Sequence, residues 1–298
     1  MGYAKELFLL PFDHRTTFAE KMLGVKGRSL NEKERSEVRE LKQIIYEGFL
    51  RALRKGVPKQ KAGILTDEEF GASILRDAKK RKIVFAVCME KSGQKEFDFQ
   101  YFDWRQHVRK LKPSFAKVLV RYNPENTEIN LRQLRKLKAL SDFLHANKTR
   151  FLFELLVPPT EKQLRKCKKR EEFDSSMRPY LMLQAMREIQ NHGIEPDVWK
   201  IEGTDEESEM HAVVEQAKGA GVIVLGRGES EEKVEKWLRV GAETSGVNGF
   251  AVGRTVFWSA LERMRKKKIT RQRAVQEIAV NYSSLVKLWK KYKTKRKQ

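Results

Sequence analysis

The chain has 298 residues, of which 40% are hydrophobic and 34% are charged, and its formal net charge at pH 7 is +22. A chain of this length and hydrophobicity can bury a full core, which excludes an intrinsically disordered protein. No apolar run approaches the roughly 18 residues that a membrane-spanning helix needs, and the early apolar stretch Leu7–Phe12 is too short for a signal peptide. We therefore expect a cytoplasmic protein without a membrane anchor.

Cysteine and histidine are sparse. The two cysteines, Cys88 and Cys167, lack the spacing of a metal site or a redox pair, and the five histidines show no close ligand spacing. We therefore predict reduced cysteines, no metal and no cofactor.

Short apolar runs alternate with stretches of helical periodicity along the whole chain, which predicts repeated βα units. The predicted strands are Leu7–Phe12, Ala62–Thr66, Ile83–Val87, Ala116–Val120, Phe151–Leu156, Asp197–Ile201, Gly221–Leu225 and Gly249–Val252. The amphipathic segments between them include Asn31–Arg54, Leu131–Ala146, Ser176–His192, Ser208–Gly219 and Ser230–Gly241. Eight strands with intervening helices predict an α/β fold, a closed (β/α)8 TIM barrel.

An open doubly wound sheet is the alternative fold. It would carry a glycine-rich nucleotide-binding turn after the first strand, whereas this chain continues with Pro11-Phe12-Asp13-His14-Arg15. The barrel is therefore the better interpretation.

Much of the positive charge lies near the C-terminus. Residues 259–298 contain 14 lysines and arginines against 2 acidic residues. We predict one barrel domain over residues 1–286 and a basic C-terminal tail over residues 287–298. Lysines alternate with aromatic residues in Lys287–Lys293, a pattern that fits binding to nucleic acid or an acidic partner, and equally a solvated helix end. The sequence leaves homo-oligomerisation open.

Active sites of TIM barrels lie at the carboxyl ends of the strands. Charged residues occur there on every predicted strand. In chain order they are Asp13 and Arg15, Asp67 and Glu68, Glu90 and Lys91, Lys117 and Arg121, Glu154, Lys200 and Glu202, Arg227, and Arg254.

Two of these residues, Lys117 and Lys200, are lysines within apolar strands. Burial or a neighbouring cation favours the free amine of a lysine, which is then a nucleophile for Schiff-base chemistry. We expect Lys200 to form the imine and Lys117 to keep it deprotonated, and spacing alone leaves the reverse assignment open. Glu154 is expected to move protons, and Asp13 to assist or to bind substrate hydroxyls. Structural ion pairs are the alternative for each residue.

Two glycine-containing segments follow the seventh and eighth strands, where this fold often binds phosphate. They are Gly226-Arg227-Gly228 and Gly253-Arg254. We expect the glycine amides and the two arginines to bind a phosphate, and Arg121 to bind a carboxylate. The alternative is that the glycines only permit tight turns.

The same residues carry a resemblance to class I aldolases of the tagatose-bisphosphate and bacterial fructose-bisphosphate type, at Phe12-Asp13-His14-Arg15, Lys117-Val118-Leu119, Phe153-Glu154 and Trp199-Lys200-Ile201-Glu202. In that family the lysine of strand six forms the Schiff base. The resemblance therefore implies that Lys200 is the Schiff-base lysine and that Lys117, Glu154 and Asp13 are catalytic.

A closer resemblance covers nearly the whole chain. Segments 90–99 and 116–124 are similar to the aldolase-like domain fused to the 5-dehydro-2-deoxygluconokinase of myo-inositol catabolism. This resemblance implies cleavage of 5-dehydro-2-deoxygluconate 6-phosphate to dihydroxyacetone phosphate and malonate semialdehyde. Two alternatives stay open: an aldolase for tagatose or fructose bisphosphate, and a non-catalytic barrel that binds nucleic acid or an acidic partner through its C-terminus.

Overall fold

The computed structural model of the protein describes residues 2–167 and 169–295. Eight parallel strands pair in sequence order, and β8 pairs with β1 to close the barrel. The strands are β1 Leu7–Pro11, β2 Ala62–Thr66, β3 Val84–Cys88, β4 Phe115–Arg121, β5 Arg150–Leu156, β6 Val198–Glu202, β7 Gly221–Leu225 and β8 Val247–Ala251. The predicted (β/α)8 TIM barrel is therefore confirmed, with each predicted strand placed to within two residues.

Helices surround this sheet. They are α1 Thr16–Leu23, α2 Glu32–Arg54, α3 Glu68–Lys80, α4 Trp104–Leu111, α5 Thr127–Ala146, α6 Glu161–Lys166, α7 Arg170–Glu172, α8 Arg178–Asn191, α9 Glu207–Gln216, α10 Glu231–Glu243, α11 Arg254–Arg265 and α12 Arg271–Lys295. A 3₁₀ turn, Lys59–Lys61, precedes β2, and a π-helical turn, Phe173–Met177, joins α7 to α8. The five predicted helices correspond to α2, α5, α8, α9 and α10 to within four residues. None of the described helices is long and apolar enough to cross a membrane.

The strand pleat determines which side chains enter the barrel, because successive residues point to opposite faces. In β4, Phe115 packs in the barrel interior, and Ala116, Val118 and Val120 pack under the helices. Lys117 and Arg121 share the inward face with Phe115 and line the cavity at the carboxyl end. The interior of the barrel is thus apolar towards the amino ends of the strands and charged at their carboxyl ends.

Helix α12 belongs to the core of the protein over much of its length. Trp289 is fully buried, with its ring centroid 6.4 Å from that of Phe8 and 5.9 Å from that of Phe250. The hydroxyl of Tyr282 donates a hydrogen bond to the carbonyl of Phe8 at 2.7 Å. The C-terminal helix therefore packs against the outside of β1 and β8.

The boundary predicted at residue 287 falls inside α12, and residues 287–295 continue the helix. Residues 296–298 of the predicted tail lie outside the described residues. Lys287, Lys290 and Lys291 are exposed, whereas Trp289 lies in the core and cannot stack on a base. The exposed lysines are thus the part of this segment that remains available to nucleic acid or an acidic partner.

We expect Trp289→Ala to lower the free energy of unfolding by about 3–5 kcal/mol, because it leaves a large cavity between α12 and the barrel. Denaturant unfolding measures this change. The control is Lys290→Ala on the same helix, whose exposed side chain should contribute no more than about 0.5 kcal/mol. Equal stability of the two variants would contradict the assignment of α12 to the core.

Candidate active site

Lys117 lies at the centre of a buried group of carboxylates. Its Nζ atom donates to Asp13 Oδ2 at 2.9 Å and to Glu90 Oε1 at 2.8 Å, and lies 2.8 Å from Glu154 Oε2. The lysine side chain is only 1% exposed. Burial opposes its charge, but the three carboxylates outweigh burial and raise the pKa of Lys117 well above its ordinary value. Lys117 is therefore a fixed ammonium.

Lys200 approaches the same group from β6. Its Nζ atom lies 2.6 Å from Glu154 Oε1, so the two oxygens of Glu154 contact two different lysines. The β5–β6 register places Glu154 directly beside Lys200. Burial favours the protonated acid, but Lys117 and Lys200 outweigh it and lower the pKa of Glu154. An ionised carboxylate thus lies between the two amines.

Asp13 and His14 complete the wall formed after β1. Burial would raise the pKa of Asp13, yet Lys117 and other nearby cations lower it strongly. Burial lowers the pKa of His14 to about 4, so the imidazole is neutral at pH 7. Its buried Nδ1 atom has no hydrogen-bond partner among the residues that the structure describes. Asp13 is therefore a permanent anion beside a neutral ring.

Glu90 is a contact of Lys117 to which the sequence analysis assigned no catalytic role. Burial and the nearby Asp13 raise its pKa, opposite in direction to the pKa of Glu154. The signal available in the sequence was its position directly after β3, at the level of the other charged strand ends.

A metal ion bound by Asp13 and Glu90 would compete with the ammonium of Lys117. Asp13, Cys88 and Glu90 offer ligand atoms within 4.8 Å of one another. The ammonium of Lys117 already bonds to both carboxylates, and a divalent ion there would face strong repulsion. That the protein uses neither a metal nor a cofactor stays a prediction.

These groups line one cavity of about 250 Å³ at the carboxyl ends of the strands. All ten residues predicted for the site contribute to its lining: Asp13, Lys117, Arg121, Glu154, Lys200, Gly226, Arg227, Gly228, Gly253 and Arg254. The structure thus brings the whole predicted set together, but its members differ in how their charges are compensated.

Arg254, the first residue of α11, is a half-buried guanidinium available to an anion. It donates through Nη2 to the carbonyl of Arg227 and has no carboxylate within 4.0 Å in the described parts of the chain. Burial lowers its pKa from the ordinary value. Gly228 makes this placement feasible: its φ is +82°, and a Cβ atom there would lie 2.1 Å from the Cζ atom of Arg254.

Arg227 has a different environment, although it occupies the equivalent place after β7. Its Nη1 atom lies 3.0 Å from Asp174 and 3.0 Å from Glu202, and its Nε atom lies 3.6 Å from Glu229. Its charge is therefore largely satisfied within the protein. Asp174 lies on the π-helical turn, and no strand-end pattern marked it in the sequence.

Arg121, the last residue of β4, resembles Arg254 in lacking an acidic partner. It donates through Nη1 to the carbonyl of Gln94 at 2.7 Å and forms no ion pair within residues 2–167 and 169–295. Gln94 lies in the loop after β3, which the sequence did not indicate as part of the site. Uncompensated arginines thus lie at the ends of β4 and β8, on opposite sides of the barrel.

The opposite pKa shifts of Glu154 and Glu90 predict different acid sensitivities for matched variants. A carboxylate with a lowered pKa stabilises the fold above its unfolded pKa of about 4.3, and this contribution is lost as the pH falls through the folded pKa. Glu154→Gln should therefore flatten the loss of stability below about pH 4. Glu90→Gln should leave that loss as steep as in the wild type, or steeper, because the pKa of Glu90 is raised.

Urea unfolding of both variants between about pH 3 and pH 6 measures these slopes. A flatter acid limb in Glu90→Gln than in Glu154→Gln would contradict the described electrostatics.

Solved structures with the same architecture include the protein Cgl0159 and several aldolases. Cgl0159 from Corynebacterium glutamicum (Brevibacterium flavum) is 17% identical, with a TM-score of 0.58 over 95% of this chain and 88% of that chain. An archaeal fructose-1,6-bisphosphate aldolase, with its catalytic lysine bound to the carbinolamine intermediate, is 14% identical, with a TM-score of 0.62 over 96% and 94%. Fructose-bisphosphate aldolase from Plasmodium falciparum is 15% identical, with a TM-score of 0.63 over 94% and 89%.

At these identities the likeness is one of fold. A search of curated proteins finds no match to the sequence. One family model, described as "Uncharacterized protein conserved in bacteria (DUF2090)", matches residues 2–293, nearly the whole chain. The chain therefore belongs to the DUF2090 family.

Proposed function

We propose that the protein is a class I aldolase that cleaves a phosphorylated keto sugar acid through a Schiff base on Lys200. The observation that carries this proposal is the Lys117–Glu154–Lys200 group, in which one ionised carboxylate contacts two lysines beside a cavity. The fold supports it, because solved structures of the same fold include a Schiff-base-forming fructose-1,6-bisphosphate aldolase.

The contacts favour Lys200 over Lys117 as the nucleophile. Three carboxylates hold Lys117 protonated, and a protonated amine cannot attack a carbonyl carbon. Within the described residues, Lys200 has a single carboxylate contact, with Glu154, which can accept its proton. Lys117 supplies a fixed positive charge on the other side of Glu154.

The reaction begins when Lys200 Nζ attacks the substrate ketone. The carbonyl oxygen leaves as water, and the resulting iminium draws electrons from the bond between the α and β carbons of the substrate. Cleavage requires that a hydroxyl two carbons from the iminium lose its proton, which Glu154 accepts, assisted by Asp13. The bond electrons pass into the iminium to give an enamine, and an aldehyde departs. Protonation of the enamine carbon and hydrolysis release the ketone product and restore Lys200.

The phosphate subsite consists of Arg254 with the backbone amides of Gly226 and Gly253, whereas the Gly228 amide donates to the carbonyl of Gly226 and Gly228 instead leaves room for the Arg254 guanidinium. Arg254 is a partly desolvated guanidinium without an internal anion, and it lies at the start of a helix. Arg227 does not bind the phosphate in this proposal. Its contacts with Asp174 and Glu202 instead stabilise the loop that follows β7.

The order of the groups around the barrel supports a substrate with two anionic ends. Arg254 follows β8, Lys200 lies on β6 and Arg121 lies on β4, so the lysine is midway between two uncompensated arginines. In 5-dehydro-2-deoxygluconate 6-phosphate, the ketone is next to the phosphorylated carbon and the carboxylate is at the other end. Its products would be dihydroxyacetone phosphate and malonate semialdehyde, as in myo-inositol catabolism.

The alternative substrate is a tagatose or fructose bisphosphate. Such a ketose places a second phosphate where the acid places its carboxylate, and Arg121 would bind either group. Neither substrate requires a cofactor, because the lysine iminium is itself the electron sink.

Borohydride trapping with dihydroxyacetone phosphate tests the lysine assignment. We expect a stable adduct on Lys200, located by intact mass and peptide mapping, and none in Lys200→Ala, which should also lose cleavage by at least about a thousandfold. The matched control is Lys91→Ala, which removes an exposed lysine from the same cavity and should trap normally. An adduct on Lys117 would reverse the two lysine roles, and no adduct in the folded wild type would refute the proposal.

Arg121→Ala tests the second anionic end. We expect the KM for 5-dehydro-2-deoxygluconate 6-phosphate to rise about tenfold or more, because a hydrogen bond to a charged group contributes about 1.5–3 kcal/mol. Half-saturation of borohydride trapping by dihydroxyacetone phosphate should stay unchanged, because that ketone lacks the second anion. A rise in both the KM and the half-saturating concentration of dihydroxyacetone phosphate would contradict binding of the second anionic group by Arg121. The matched variant is Arg254→Ala, which should weaken the binding of both ligands.

A further inference from the structure

The π-helical turn Phe173–Met177 is an unusual element at the rim of the barrel. π-helical turns are rare and occur frequently at functional sites. This turn carries Asp174, whose side chain is 17% exposed, and the mechanism above gives it no part. The π-helical turn follows β5 in the chain, yet the Asp174 carboxylate contacts Arg227, which follows β7.

Asp174 fixes Arg227 from outside the sheet. Its Oδ2 atom accepts a hydrogen bond from Arg227 Nη1 at 3.0 Å, while the buried Glu202 at the end of β6 lies 3.0 Å from the same nitrogen. The other oxygen, Oδ1, lies 3.3 Å from Arg178 Nε, and Arg178 donates to the carbonyl of Gly203 at 2.9 Å. Asp174 is thus held next to Arg227 by Arg178, which is itself bonded to the residue that follows β6.

The backbone at Arg227 needs such support. Its φ is +50°, in the left-handed region that residues other than glycine rarely adopt. In this conformation the Arg227 carbonyl accepts the Arg254 hydrogen bond, and Gly228 packs directly against the Arg254 guanidinium. The placement of Arg254 therefore depends on the backbone that Arg227 and its carboxylate partners hold.

We propose that Asp174 is a positioning residue that acts through Arg227 to orient Arg254 for a phosphate monoester. The inference rests on the phosphate subsite of the proposed function and extends it to a residue that does not touch the ligand. Asp174 determines affinity for the phosphate group and leaves the chemistry at Lys200 unaffected.

A pair of variants separates this role from a general effect of charge. Asp174→Ala removes a partner at 3.0 Å, and Glu229→Ala removes another carboxylate of Arg227, which lies 3.6 Å away and is 38% exposed. We expect Asp174→Ala to raise the half-saturating concentration of dihydroxyacetone phosphate in borohydride trapping about tenfold, the lower end of the range for outer-shell partners. Glu229→Ala should change it less than about twofold, as expected for an exposed pair.

Trapping with dihydroxyacetone, which lacks the phosphate, is the second readout. Asp174→Ala should leave its half-saturation and the maximal trapping rate of both ketones unchanged. An equal shift for both ketones, or no shift for either, would overturn the proposal. In an Arg254→Ala background, Asp174→Ala should add nothing, and a full additional effect there would also overturn it. If Asp174→Ala fails to fold, Asp174→Asn is the substitute, with a smaller shift in the same direction.

Calorimetric titration with inorganic phosphate keeps this inference separate from the aldolase proposal. If wild-type protein traps neither ketone, the aldolase proposal fails, but phosphate binding still tests Asp174. We expect the wild type to bind phosphate, Asp174→Ala to bind it about tenfold more weakly, and Glu229→Ala to bind it normally. Wild-type protein that does not bind phosphate, or equal affinity in all three proteins, would overturn the inference.

Discussion

The contact of Glu154 with two lysines is the interaction on which the site depends. Moving one charged group out of water costs several kcal/mol, and this barrel buries two lysines together with Asp13, Glu90 and Glu154. Each charge is tolerable only because the others are present at 2.6–2.9 Å. The strands that carry these residues are hydrogen-bonded on both sides in the closed sheet, which keeps the distances fixed.

The cluster has unequal consequences for its two lysines. Lys117 has three anionic neighbours and is held as an ammonium, while Lys200 shares Glu154 with it and borders the cavity. In the proposed mechanism, two chemically identical side chains on β4 and β6 therefore serve as a fixed cation and a nucleophile. The division arises from the number of carboxylates around each one and not from the residue type.

The same principle distinguishes the arginines of the rim. Arg227 and Arg254 follow adjacent strands in similar glycine-containing segments, but among the residues that the structure describes only Arg227 has carboxylate partners. A compensated guanidinium holds the backbone, and an uncompensated one attracts an anion from solution. Asp174 contributes to this difference because it is one of the carboxylates that compensate Arg227.

The sequence by itself determined the barrel, because strand and helix periodicities are local and the inward position of Lys117 follows from the pleat that also places Phe115. It also placed the charged residues at the strand ends, since that requires only the strand boundaries. The tertiary structure alone decided the contacts among them: Asp174 meets Arg227 53 residues away, and Asp13 meets Lys117 104 residues away. It likewise buried Trp289, which the sequence analysis had placed in a basic C-terminal tail. The physical reason is that charge compensation and burial depend on which distant segments barrel closure brings together, and no local pattern records that neighbourhood.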